Sequence, residues 1–345
     1  MLNSGLPDRP SGGIAVIRTT VVGSYPAPSW LRAFPSREAR LDALRSVLKI
    51  QELAGLDVIG DGELGRFDPN HPETNGMIDA FVRPMGGVSV EPTTEQVRRW
   101  RADPAMSYRS RPAGIVVGPI VEGRLDLPSE DAEVAALTDL PRKFTLTSPY
   151  MLARVLGDEY YGDRKAVVLA IADVLARQVQ GLSASVLQVD EANVTGNPDD
   201  APIAAEGINR LLRSARGEKA VHLCFGNYGG QVIQRGAYKT LLAFLNALEV
   251  DHLVLELARR PEADLQALLG VDPRIGLGIG VIDIKDNVVE TPEVVARRIE
   301  RAASVLGADR LRFVHPDCGL WMLPRAVADA KLRALVRGRD LFEGR

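Results

Sequence analysis

His222 and Cys224 stand two residues apart in the run VHLCFGN, and the chain's other cysteine, Cys318, falls in the run HPDCGL. Residues 220–225 read as a strand, so positions 222 and 224 project to one face of it. An imidazole nitrogen and a thiolate side by side make half of a zinc site. Glu256 interrupts the apolar run LVLEL, where an ionised carboxylate is costly unless it is paired or bound to a metal. Cys318 lies on a Gly-containing turn just after another strand-like run. Together His222, Cys224, Glu256 and Cys318 make a complete tetrahedral set for zinc, a borderline-soft ion suited to mixed N, S and O donors. Each residue also has a plainer reading. Cysteines are commonly inert core, a lone histidine is more often a satisfied polar residue, and Glu256 could pair with Arg259. The residues alone leave both readings open.

Such residues act only if the fold gathers them, so the pattern of elements decides the matter. Short apolar, β-branched runs ending in polar residues or glycine alternate with longer segments of helical period, the pattern of repeated βα units. Strands are expected at residues 19–25, 57–63, 144–148, 186–191, 220–225, 252–257, 276–283 and 311–315. Helices are expected at 37–54, 164–181, 203–216, 240–247 and 292–306. Eight strands joined this way point to an α/β fold, a closed (β/α)8 TIM barrel whose active site lies at the C-terminal ends of the strands. His222, Cys224, Glu256 and Cys318 all fall at such ends. Residues 114–120 also read as a strand. They are assigned to an inserted excursion between strands two and three, about 67–140, which is a surface elaboration or a cover for the barrel mouth. The domain expectation is an N-terminal tail over 1–17 and a single catalytic barrel over 18–345.

A chain of 345 residues that is 46% hydrophobic and 25% charged has the balance of a soluble globular protein. The net charge is −3, with Lys and Arg dispersed along the chain, so no electrostatic footprint for nucleic acid is present and a small-molecule substrate is expected. The first residues, MLNSGLPDRPSGG, lack the apolar core of a signal peptide. No apolar run approaches the ~18 residues of a membrane span. The expected location is the cytoplasm, where both cysteines stay reduced. Composition does not choose an oligomeric state.

The motifs, taken in order, resemble the cobalamin-independent methionine synthase family. TTVVGSYP is similar to its opening strand, and GLDVIGDGELGR to its second. VLQVDEAN resembles its I-Q-I-D-E-P strand, VHLCFGN its H-x-C zinc motif, LVLELARR its zinc-binding Glu strand, and HPDCGL its N-P-D-C-G closing motif. The resemblance covers most of residues 18–338 and implies Zn2+ at His222, Cys224, Glu256 and Cys318. It also implies an amino-acid thiol held by the Gly23–Ser24 backbone, Glu63 and Asp190. Two carboxylates suit the ammonium of homocysteine, and a strand-end turn suits its carboxylate. The alternatives are internal ion pairs made by Asp190 and Glu191, and a Glu63–Arg66 ion pair.

The chain departs from the family pattern at two places. The methyl-folate enzyme of the family carries a histidine in its Y-D-I-H-S-P segment, where this chain reads VIDIKDN with Lys285. It also carries a tryptophan after its third strand that stacks on the pterin, where this chain reads FTLTSPY. Lys285 is therefore expected to bind an anion, to donate a proton, or to pair with Asp283 or Asp286. The implied function is zinc-dependent S-alkyl transfer, with homocysteine methylated to methionine and Lys285 and Asp190 as catalytic candidates. The alkyl donor stays open among a folate, a methyl-corrinoid and a carrier protein.

A second reading is the related epoxyalkane:coenzyme M transferase chemistry, in which a thiolate opens an epoxide. Its sulfonate would need cations such as Lys285, Arg109 and Arg111. A metal-free decarboxylase resembling uroporphyrinogen decarboxylase and a non-enzymatic zinc-binding barrel complete the alternatives.

Overall fold

The computed structural model describes residues 16–66, 75–103, 109–226 and 236–345. In chain order the strands are β1 (Arg18–Thr19), β2 (Ile59–Gly60), β3 (Gly86–Ser89), β4 (Gly114–Val121), β5 (Arg142–Thr147), β6 (Leu156–Asp158), β7 (Val186–Glu191), β8 (Glu218–Leu223), β9 (His252–Leu255), β10 (Gly276–Ile282) and β11 (Leu311–Pro316). Eight of them form one parallel sheet in the order β1-β11-β10-β9-β8-β7-β5-β2. A parallel bridge between Thr20 and Val58 joins its two ends, and Thr19 O accepts the amides of Asp57 and Val58 at 3.2 and 3.1 Å. The sheet therefore closes into the expected barrel.

The helices form where the sequence places caps around apolar faces. Ser36 accepts the amide of Ala39 at the start of Arg37–Ala54, and Gly55 ends that helix at φ 85°, a left-handed conformation that favours glycine. Its buried residues Ala43, Leu44, Val47, Leu48 and Gln51 make one stripe. Thr291 caps Pro292–Leu306, with proline in the first turn where its missing N–H costs nothing, and Val295, Ile299, Ala302 and Leu306 face inward. The closing helix Arg325–Glu343 was not among the expected elements. Among the described residues no helix is long and apolar enough to cross a membrane.

β1 and β2 are shorter than expected, for a physical reason. Beyond Thr20 the carbonyls of Val21 and Val22 accept from the side chains of Lys143 and Gln188, both at 2.8 Å. The Gly60 amide and carbonyl bond the Gln51 side chain at 2.9 and 2.7 Å. Side chains thus satisfy backbone groups that a strand ladder would otherwise take.

Between β2 and β5, strand β3 pairs antiparallel with β4, and β4 pairs parallel with β6, which follows β5 in the chain. The expected strand at 114–120 is thus real, and its sheet also recruits residues beyond the excursion. Parts of the excursion, 67–74 and 104–108, lie outside the described residues, as does most of the expected tail. Ile17 is fully buried, and its amide donates to Glu343 at 2.7 Å.

Candidate metal and thiol site

Alternation along the strands builds the site. Val22, Val58, Val186, Ala220, Val254 and Phe313 form a compact apolar cluster that fills one level of the barrel. Two residues further along their strands come Gln188, His222, Glu256 and His315, and two further again Asp190, Cys224 and Asp317. Inward parity therefore delivers polar groups, in steps of two, to the C-terminal end of the ring. Register pairs Asp190 with His222 across β7 and β8, and His222 with Val254 across β8 and β9.

His222, Cys224 and Cys318 converge, each offering one donor atom within 4.8 Å of the others. His222 is 2% exposed. Its Nδ1 lies 2.9 Å from the carbonyl of Val254, while its Nε2 is buried without a hydrogen-bond partner. An imidazole that donates from Nδ1 to a backbone carbonyl presents the lone pair of Nε2, the usual second contact of a metal-bound histidine. Burial alone would lower the His222 pKa, but the Cys318 sulfur, Asp190 and the Val254 carbonyl outweigh it and hold it up at about 9. Cys224 beside Cys318, together with burial, pushes the Cys318 thiol well above its usual value. Two sulfurs and an imidazole nitrogen crowded into one buried space are a poor arrangement without a cation and a good one around a borderline-soft dication. The residues fit zinc.

Glu256 borders this cluster without belonging to the three-donor group. Its Oε2 accepts the amide of Phe225, the residue after Cys224, at 3.3 Å. Its Oε1 is in direct contact with the ammonium of Lys285, and the two side chains are 2% and 4% exposed. The expected alternatives for both residues are thereby corrected. Arg259 does not pair with Glu256. It takes Asp283 and Asp286 instead, while the amide of Lys285 donates to Asp283 at 2.8 Å. With both aspartates engaged from other directions, the lysine side chain turns inward.

Two further carboxylates, Glu63 and Asp190, belong to the segment after β2 and to the end of β7. Glu63 is the one non-glycine among the described residues with positive φ, 58°, a strained conformation of the kind that gathers at functional sites. Its Oε1 accepts from Thr145 Oγ1 at 2.7 Å and lies 3.3 Å from Arg66, so the Glu63–Arg66 pair is present. Burial pushes this carboxyl up to about 7, against the pull of Arg66 and with Asp190 adding to the rise. Asp190 is 3% exposed and accepts from Gln188 at 2.7 Å. Burial raises its pKa too. The carboxylate of Glu191 accepts from Ser148 and from the amides of Asn193 and Val194 in place of an ion pair.

Gly23 and Ser24 sit where the two halves of the mouth meet. A Cβ on Gly23 would lie 2.2 Å from Glu63 Oε1, and one on Gly319 would lie 2.0 Å from Ser24 Oγ. Leu320 N donates to Ser24 O at 2.7 Å. The turn that carries Cys318 is thus fastened to the turn that carries Ser24.

Sequence reasoning missed Asp317. It is 1% exposed, accepts the amides of Leu257 and Ala258 at 2.9 Å each, and so fixes the chain just after Glu256. Burial and the nearby Glu256 raise it to about 7. The signal was available, since Asp317 shares the inward parity of Phe313 and His315. Arg109 and Arg111 bond backbone carbonyls of Arg111 and Val90 within the excursion. Tyr150, the aromatic residue after β5, is fully buried with its hydroxyl on Asp200 at 2.6 Å, so it offers no stacking face at the mouth.

Nitrogen and sulfur donors gathered over the C-terminal strand ends of a closed parallel barrel lie where enzymes of this fold place their chemistry, in a combination suited to a thiophilic metal. The chain belongs to the family described as cobalamin-independent synthase, catalytic domain, whose model matches residues 17–338. It is 28% identical to a methionine synthase of Thermococcus kodakarensis, over 95% of this chain and 94% of that protein. It is also 28% identical to one of Pyrococcus abyssi, over 94% and 92%. Among solved structures it resembles a B12-independent methionine synthase from a Shewanella species in complex with selenomethionine. The TM-score is 0.79, at 23% identity, covering 96% of this chain and 98% of that one.

Proposed function

We propose that this chain is a cytoplasmic, zinc-dependent thiol S-methyltransferase that converts homocysteine to methionine. The convergence of His222, Cys224 and Cys318, with the Nε2 of His222 buried and without a hydrogen-bond partner, carries the reading. Family membership and the methionine synthase relatives support it. His222, Cys224, Cys318 and Glu256 would hold the zinc. Zinc bound there would supply the Lewis acidity that keeps a substrate thiol, of usual pKa ~8.5, as the nucleophilic thiolate.

The protein's own residues do the rest. Glu63 and Asp190 face the substrate ammonium, which gives two buried carboxylates of raised pKa a cation that holds them ionised. The backbone at Gly23–Ser24 receives the substrate carboxylate. With both ends of the amino acid held, the sulfur is confined to the side of the mouth where Cys224 and Cys318 lie, so the encounter with the donor's methyl carbon is an oriented one. A C–S bond forms as the bond from methyl to donor breaks, and the donor leaves with the electron pair. The donor is one of the three classes that the sequence leaves open, and the buried Tyr150 supplies no pterin shelf to favour a folate. No observation favours coenzyme M, since Arg109 and Arg111 are tied to backbone and Lys285 to Glu256.

The reading is tested by titrating the purified, zinc-loaded chain with homocysteine and, separately, with coenzyme M, following proton release and heat. Stoichiometric proton release with homocysteine alone is expected. Release with coenzyme M alone would replace the amino-acid thiol with the sulfonate thiol, and release with neither would remove thiol activation from the account.

A further inference from the structure

We propose that Lys285 is a positioning residue that receives the Glu256 carboxylate whenever a thiol substrate takes its place at the metal. The inference rests on the zinc-thiol reading above and adds a device to it. Glu256 is needed twice, as a protein donor when the thiol is absent and as a group that must leave when the thiol arrives. A buried carboxylate that leaves a cation needs another one, because an unpaired charge at 2% exposure is strongly disfavoured. The structure holds that second cation in place. The Lys285 ammonium touches Glu256 Oε1 at 4% exposure, while Phe225 N holds Oε2. The carboxylate is thus anchored beside Cys224 through one oxygen and paired with a cation through the other. The lysine is released for this task because Arg259 occupies Asp283 and Asp286. Asp317 braces the same segment by binding the amides of Leu257 and Ala258, so the carboxylate can trade partners without the strand end moving.

The exchange balances in charge. An incoming thiolate brings one negative charge to the centre and the departing carboxylate removes one, while the S–H proton passes to solvent. Lys285 neutralises the carboxylate in its new position, so thiol entry does not leave the buried carboxylate without a cation. An uncharged residue at position 285 would leave the metal as the only strong partner for Glu256. The site would then hold metal more tightly and admit thiol less readily.

The test uses the full chain loaded with Co2+, whose absorption reports thiolate entry, together with Zn2+ affinity from chelator competition. In K285M, Zn2+ affinity should rise and homocysteine affinity should fall, each by about tenfold, the scale on which groups bonded to metal ligands act. Adding E256Q to K285M should restore homocysteine binding to within about threefold of wild type, the coupling expected of two residues in contact. K285R should behave as wild type. If K285M does not fold, the equally uncharged K285Q takes its place in both measurements, with the same outcomes expected. Unchanged metal and thiol affinities in K285M, or no rescue by E256Q, would overturn the role of Lys285 while leaving the zinc-thiol reading standing. A wild-type protein that takes up no metal, or a Co2+ spectrum indifferent to homocysteine, would overturn that reading and the inference with it.

Discussion

Glu63 gathers several physical oddities in one residue. It has a positive φ, its Oε1 lies 2.2 Å from where a Cβ on Gly23 would sit, and its pKa is lifted by burial from the usual 4.5 to about 7. Below about pH 4.5 the carboxyl is protonated in both folded and unfolded chains and contributes nothing to pH dependence. Between 4.5 and 7 only the folded chain keeps the proton, so stability falls as pH rises, and above about 7 the full cost is present. Glu63→Gln should therefore stabilise the ligand-free protein at pH 8 relative to pH 4, by on the order of 1–3 kcal/mol. Denaturant melts at the two pH values check this. The same variant should weaken homocysteine binding by about tenfold or more, since a charged partner for the ammonium is lost. A gain over wild type no larger at pH 8 than at pH 4 would remove the burial cost from Glu63, and normal homocysteine binding would separate it from the substrate ammonium.

At the scale of elements, the barrel interior is held by side chains that reach across it. Lys143 on β5 donates to Val21 O and to Gln188 Oε1 at 2.8 and 2.7 Å, and Gln188 on β7 donates to Val22 O and Asp190. Burial pulls the Lys143 ammonium down to about 7, so its bonds to neutral acceptors suit either protonation state. One chain of contacts thus runs from β5 through β7 to the backbone just before Gly23–Ser24. Gln188→Met keeps the volume and removes the bonds, so it should cost about 2–3 kcal/mol in stability and loosen homocysteine binding as the opening turn loses its anchor. A thermal shift within error of wild type would show that this network carries no structural weight.

The same network explains where the sequence was legible. Strands β7 and β10 and the helices Arg37–Ala54 and Pro292–Leu306 follow from alternation, apolar stripes and caps, all local signals. The early ends of β1 and β2 were not legible, because side chains distant in sequence supply the bonds that end them. β6 was hidden for a similar reason: a strand of three residues becomes one only by pairing with β4.

For the whole molecule, the decisive fact is closure. The Thr20–Val58 bridge turns a list of strands into a ring, and the ring brings donor atoms from the end of β8 and from the turn after β11, strands that are not neighbours, within 4.8 Å of one another. The three-donor set was legible because inward parity and strand ends are fixed by local pattern, and Cys318 follows its strand directly. The Glu256–Lys285 contact was not, since it depends on Arg259 drawing two aspartates away. If His222, Cys224 and Cys318 exist to hold zinc, removing either sulfur must empty the site even though the barrel still closes. The measurement is the zinc content of the purified full chain beside Cys224→Ser and Cys318→Ser, each confirmed folded. The account predicts about one zinc per wild-type chain and almost none in either variant. A folded wild-type chain without zinc after metal supplementation, or zinc retained in both variants, would contradict it.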